Sequence, residues 1–84
     1  MARYSVTIDN NRITDVEAFG HEDDEQLGLE WALSELKDSY RHARTVSATF
    51  SLTDRSELKQ FLSAVASLLG HDALGDASRH LVGD

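Results

Sequence analysis

The side chains of this 84-residue chain that could bind a metal, move a proton or attack a substrate are four histidines, fifteen Asp+Glu and a scatter of serines. His21, His42, His71 and His80 show no i, i+4 pairing, the spacing that lets two imidazoles on one helix share a zinc ion. His21-Glu22-Asp23-Asp24 is the one stretch rich in hard ligands. Neighbouring side chains at a helix start diverge, so they do not converge on a cation without tertiary help. Asp9-Asn10-Asn11 opens like a calcium loop, but Ile13 and Thr14 stand where an oxygen ligand and the turn glycine belong. No metal site is expected.

Catalytic groupings fare no better. No serine sits in a nucleophile elbow, and no base and orienting acid accompany one. The five glycines are isolated, so none forms a phosphate-binding loop. Paired carboxylates need a cleft that desolvates one of them, and a thin domain offers little depth. We expect neither catalytic residues nor a cofactor.

The elements that must position these residues follow from length and charge. Eighty-four residues make one core, here a single α+β domain over 1–84. There are 8 Lys+Arg against 15 Asp+Glu, for a formal net charge of -7, and neither Cys nor Pro. The charge is concentrated: residues 9–38 hold ten acids and two bases, whereas residues 39–84 hold five of each. An acidic domain without clustered Lys/Arg is repelled by nucleic acid and by anionic membranes. Absent cysteines exclude disulfides and thiolate chemistry, and no run approaches membrane-spanning length. A cytoplasmic protein is the expectation.

Tyr4, Val6 and Ile8 alternate with polar residues, the period of a strand with one buried face. Asn10-Asn11 suits a tight hairpin turn, and a second strand runs from Ile13 to Phe19. Strict register would set Asp15 opposite Val6 and Glu17 opposite Tyr4, burying two carboxylates. An extra residue at Thr14-Asp15 instead moves Val16 and Ala18 onto the apolar face, so a bulge is predicted there. Asp23, with Gln26 three residues later, predicts the start of a helix of about 20 residues. Its core stripe is Leu29, Ala32, Leu33, Leu36, Tyr40 and Ala43.

A third strand alternates through Val46, Ala48, Phe50 and Leu52. Thr53 or Asp54 then caps a second helix with core residues Leu58, Phe61, Leu62, Val65, Ala66, Leu68 and Leu69, ending at Gly70. The tail, 71–84, carries a weak stripe of Leu74, Ala77 and Leu81 interrupted by Gly75, and predicts a short third helix. The order ββαβα plus this short C-terminal helix predicts a two-layer sandwich with two long helices on one face. A right-handed crossover sets the three-stranded sheet in the order 2-1-3.

At 100° per residue, Leu27 and Trp31 fall opposite the stripe of the first helix, four apart, with Asp24, Ser34, Glu35 and Asp38 around them. An aromatic and aliphatic centre with an acidic rim is the composition of a protein-binding hot spot. Alternatively, the tail folds across this face, or the face self-associates. Helix two presents Ser56, Gln60, Ser63, Ala64 and Ser67 outward, either to water or to a close-packed helix.

Glu22, Asp23, Asp24 and Glu25 in a first helical turn, with Arg41, His42 and Arg44 at its end, complement the helix dipole. That leaves Asp9, Asp15, Glu17, Glu30 and Glu35 unexplained by capping. Asp9, Asp15, Glu17, Glu22, Asp23 and Glu25 together make an acidic surface suited to a basic protein. The leading expectation is a non-catalytic protein-interaction module using Asp24, Leu27, Trp31, Glu35 and Asp38. The alternatives are a nucleic-acid-mimicking inhibitor, resembling in size and charge those of phages and mobile elements, and a homo-oligomeric structural subunit. The partner is a protein or a second copy, not nucleic acid or membrane.

Overall fold

The computed structural model describes residues 3–19 and 28–82, except for the side chains of Phe19 and Val82. Strands β1 (Arg3–Asp9) and β2 (Arg12–Phe19) form an antiparallel hairpin. Its two-residue turn holds both Asn10 (φ 53°) and Asn11 (φ 67°) in the left-handed region, which Asn tolerates better than most residues. The bulge lies where the burial pattern demands it: Ile8 faces Ile13 and Thr7 faces Asp15, leaving Thr14 as the extra residue. Val16 therefore faces Val6, and Ala18 faces Tyr4. Val6 and Ile8 are fully buried and Val16 is half-buried, whereas Ala18 lies exposed on the edge strand.

Helix α1 spans Leu29–Ala43, shorter than the sequence pattern predicts and starting six residues after Asp23. Gly28 (φ 135°, ψ 158°) is its N-cap residue, and the Gly28 N–H donates to the Ser51 carbonyl of the third strand at 3.0 Å. That tertiary bond holds Gly28 out of the helix, which glycine disfavours in any case. The predicted Asp23–Gln26 cap lies outside the described residues. At the other end Arg44 takes a left-handed conformation (φ 57°), donates its N–H to the Tyr40 carbonyl at 2.9 Å and lays its guanidinium 5.5 Å from the Tyr40 ring centre.

Strand β3 (Ala48–Leu52) follows, with Phe50 and Leu52 buried. The loop before it is clamped by the hairpin turn. The Asn11 amide accepts from Val46 N–H through Oδ1 at 2.7 Å and donates through Nδ2 to the Arg44 carbonyl at 3.1 Å. Asn11 N–H also donates to the Val46 carbonyl at 3.0 Å, and Asn10 N–H to Ser47 Oγ at 3.0 Å. The Asn11 side chain thus stands in for a length of strand, satisfying the backbone of Val46, itself fully buried.

Helix α2 (Arg55–Leu69) is capped as its sequence requires. Asp54 Oδ1 accepts from Glu57 N–H at 2.9 Å, while Glu57 Oε1 accepts from Thr53 N–H at 3.0 Å. Leu58, Phe61, Leu62 and Val65 are fully buried, the Phe61 ring lying 5.0 Å from that of Phe50. Gly70 (φ 101°) ends the helix. The tail is not one helix. Residues His71–Ser78 form 3₁₀ turns broken at Gly75 (φ 54°, ψ -133°), and a single helical turn, α3, spans Arg79–Val82.

The sheet order is β2-β1-β3, with β1 antiparallel to both neighbours. This is the compact α+β fold expected: ββαβα and a short C-terminal helix, with the helices on the apolar face of an open sheet. Across the helical layer the tail packs on β2 and α2, α2 over β1 and β3, and α1 against α2 and β3. The tail buries Ala73, Leu74 and Ala77 and so completes the core at the β2 edge, away from α1. Among the described residues no polar side chain is buried, and no helix is long and apolar enough to cross a membrane.

Candidate functional site

The shortened α1 alters the surface expected on it. Leu27 and Asp24 lie outside the described residues, and α1 begins at Leu29 after its N-cap Gly28. The expected Leu27–Trp31 pairing, one helical turn apart, therefore lies partly outside the described residues. Trp31 does not point away from the core: it is half-buried and packs against it. The fully buried residues of α1 are Ala32 and Leu36, so the core face centres between them. At 100° per residue Trp31 lies about 120° from that centre, on a flank and not on the opposite side. Glu35, Asp38 and His42 follow it at i+4, i+7 and i+11, forming one stripe.

This flank faces away from α2. The opposite flank meets α2 along a shallow groove lined by Leu36, Lys37, Ala64, Ser67 and Leu68. Ala64, predicted to point outward, is half-buried there, whereas Ser56, Gln60, Ser63 and Ser67 are exposed as predicted. The outer flank borders a second open groove, lined by Asp38, Ser39, His42, Ala43, Thr45 and Ser47. Its floor is the loop that Asn11 clamps. Glu35 is exposed. Asp38 pairs with Arg41 at 2.8 Å, but the two side chains are 49% and 73% exposed, so the pair is weakly held and Asp38 stays accessible to another cation.

The acidic residues divide. Glu22, Asp23 and Glu25 fall outside the described residues with Asp24. Asp9 is exposed at the hairpin end, where its Oδ1 lies 3.4 Å from Ser47 Oγ. Asp15 and Glu17 sit together on the uncovered sheet face, opposite Thr7 and Ser5. The hydrogen bond that a protonated Glu17 donates to the Asp15 carboxylate, reinforced by the charge of Asp15 and by slight desolvation, raises the Glu17 carboxyl above its usual value. Two carboxylates this close retain a proton more readily than either would alone.

A cleft of about 230 Å³ separates the bulge from the tail, lined by Ile13, Thr14, Asp15 and Val16 on β2 and by Asp76, Ala77, Arg79 and His80 opposite. Burial, with the charges of Arg79 and Arg55, holds the His80 imidazole below its usual range. Among the described residues no hydrogen bond joins His80 to an acid or a hydroxyl. Among the described residues no three metal-binding side chains converge. The chain matches no family model, no curated protein and no solved structure.

Sequence reasoning missed His42, Ser39, Thr45 and Ser47 because their meeting depends on where α1 ends relative to β3. It missed the Asp76–His80 side of the cleft because the docking position of the tail has no local signal. The tail was a candidate cover for Trp31; it packs instead at the other edge of the helical layer.

Proposed function

We propose that this chain is a small, non-catalytic protein-interaction module of the cytosol whose partner docks on the outer flank of α1. Trp31 is the anchor, and Glu35 and Asp38 are the acidic rim. The observation that carries this reading is the position of the chain's single Trp, half-buried on the flank where the helical layer ends. Its seated ring loses little conformational freedom on binding, which is what makes tryptophan an effective interface anchor. Absent cysteines agree with a reducing compartment.

Trp31→Ala and Trp31→Glu, compared with wild type in pulldown and gel filtration after circular dichroism establishes an intact fold, test the reading. Loss of association in both supports it, and unchanged association refutes it.

A second reading is a nucleic-acid mimic that occupies a basic protein surface. It draws on Asp9, Asp15 and Glu17, which lie on or beside the uncovered sheet face with residues 22–25 close in sequence. It requires affinity that falls steeply between low and moderate salt and with Asp15→Lys. Salt-insensitive binding excludes it. A homo-oligomeric subunit would instead show a multiple of the 9.3 kDa chain mass in solution.

A further inference from the structure

Strand β3 is an edge strand, and half of that edge is already closed. The Ser51 carbonyl points away from β1 and accepts from Gly28 N–H. Backbone groups of a strand alternate in direction, so those of Thr49, two residues earlier, point the same way. Among the described residues Thr49 has no outward backbone partner; its side-chain contact, Oγ1 to Thr7 Oγ1 at 3.2 Å, lies on the uncovered sheet face. Unpaired strand edges of this kind are templates for another strand.

The widths of the two layers leave room for one. Helical rows pack about 8–10 Å apart, so the tail, α2 and α1 need about 16–20 Å from first axis to last. Three strands about 4.8 Å apart span only about 10 Å. Since the tail covers β2 and α2 lies over β1 and β3, α1 must project past β3, over the place a fourth strand would take. The groove between α1 and residues 45–47 is the open part of that place. Side chains from an added strand that point toward α1 would meet Ala43 and Ser39, with Asp38 and Glu35 above them. Those pointing the other way would extend the row Thr7–Thr49.

We propose that the partner enters as an extended segment that pairs with the Thr49 edge of β3 beneath α1, carrying basic side chains toward Asp38 and Glu35 and small hydroxylated ones on the sheet face. This deepens the proposed function and rests on it. A second copy of β3 is a poorer occupant, because each copy would bring its own overhanging α1 into the same space.

The test uses a fluorescein-labelled octapeptide of alternating Thr and Lys, titrated against the full chain by anisotropy at low salt. A matched peptide with Glu in place of Lys is the control. The Thr-Lys peptide binds at least tenfold tighter than the Thr-Glu peptide, and Thr49→Pro, which removes the outward N–H from an edge position that tolerates proline, weakens it at least tenfold. Amide exchange at Thr49 in wild type, slowed by the peptide, gives the same answer without a variant. No binding of the Thr-Lys peptide, binding indifferent to Thr49→Pro with unslowed exchange, or dimerisation of the chain through this edge overturns the proposal. If the peptide fails while Trp31→Glu still abolishes partner association, the mode of docking is wrong and the α1 flank stands.

Discussion

Replacing Asn11 separates the clamp on the α1–β3 loop from the geometry of the turn. Its side chain makes two hydrogen bonds to that loop, one of them from the N–H of fully buried Val46. A buried donor left without its acceptor costs about 1–3 kcal/mol, and the more accessible Arg44 carbonyl adds about 0.5 kcal/mol. Asn11→Gly keeps the left-handed turn (φ 67°) without strain, so it should cost about 1.5–3.5 kcal/mol from the lost bonds alone. Asn11→Ala adds about 1 kcal/mol for placing a Cβ in that conformation, for a total of about 2.5–4.5 kcal/mol. For a domain of this size, each kcal/mol lowers Tm by about 4–8 °C.

Urea denaturation followed by far-ultraviolet circular dichroism measures both variants, with an unchanged m-value showing that the transition remains two-state. Asn11→Gly within about 0.5 kcal/mol of wild type would refute the clamp and leave the two asparagines as turn formers only. The clamp also shapes the floor of the groove beside α1. A folded Asn11→Gly protein should accordingly bind the Thr-Lys peptide more weakly than wild type under the same conditions.

Leu74→Ala empties a fully buried site in the tail and should cost about 2–5 kcal/mol in the same denaturation experiment; a loss below about 1 kcal/mol would mean that the tail is not part of the core. The His80 pKa is depressed by burial and by Arg79 and Arg55. The unfolded chain therefore binds the His80 proton first as pH falls below about 6.5, and stability drops with it. Wild type should lose more Tm between pH 7 and pH 5.5 than His80→Gln, and parallel pH profiles would contradict the docked position of His80.

How far the sequence reached depended on whether the deciding contact was local. The hairpin and its bulge were legible because one register alone keeps Asp15 and Glu17 off the buried face, and the 2-1-3 order because a helix between β2 and β3 calls for a right-handed crossover past β1. The start of α2 was legible because Asp54 and Glu57 cap it within one turn. The start of α1 was not, because the Asp23–Gln26 pattern takes no account of Gly28 bonding to a strand 23 residues further on. Asn11 read correctly as a turn residue, but its side-chain partners lie 33 and 35 residues away and leave no trace in local pattern.

The tail's apolar stripe showed that it docks, but not where. A sheet three strands wide under two long helices leaves β2 bare, and that bare strip takes the tail. Of the expected site, Trp31, Glu35 and Asp38 lie together on the outer flank of α1, and Leu27 and Asp24 lie outside the described residues.

Photo-crosslinking in the cells that make the protein, with p-benzoylphenylalanine in place of Glu35, tests the claim for the α1 flank most directly. The same group in place of Ser63, exposed on the outer face of α2, is the control. The account predicts a discrete adduct heavier than the chain from position 35, lost when Trp31→Glu is added, and none from position 63. Equal adducts from both positions, or an adduct at 35 that survives Trp31→Glu, would contradict it.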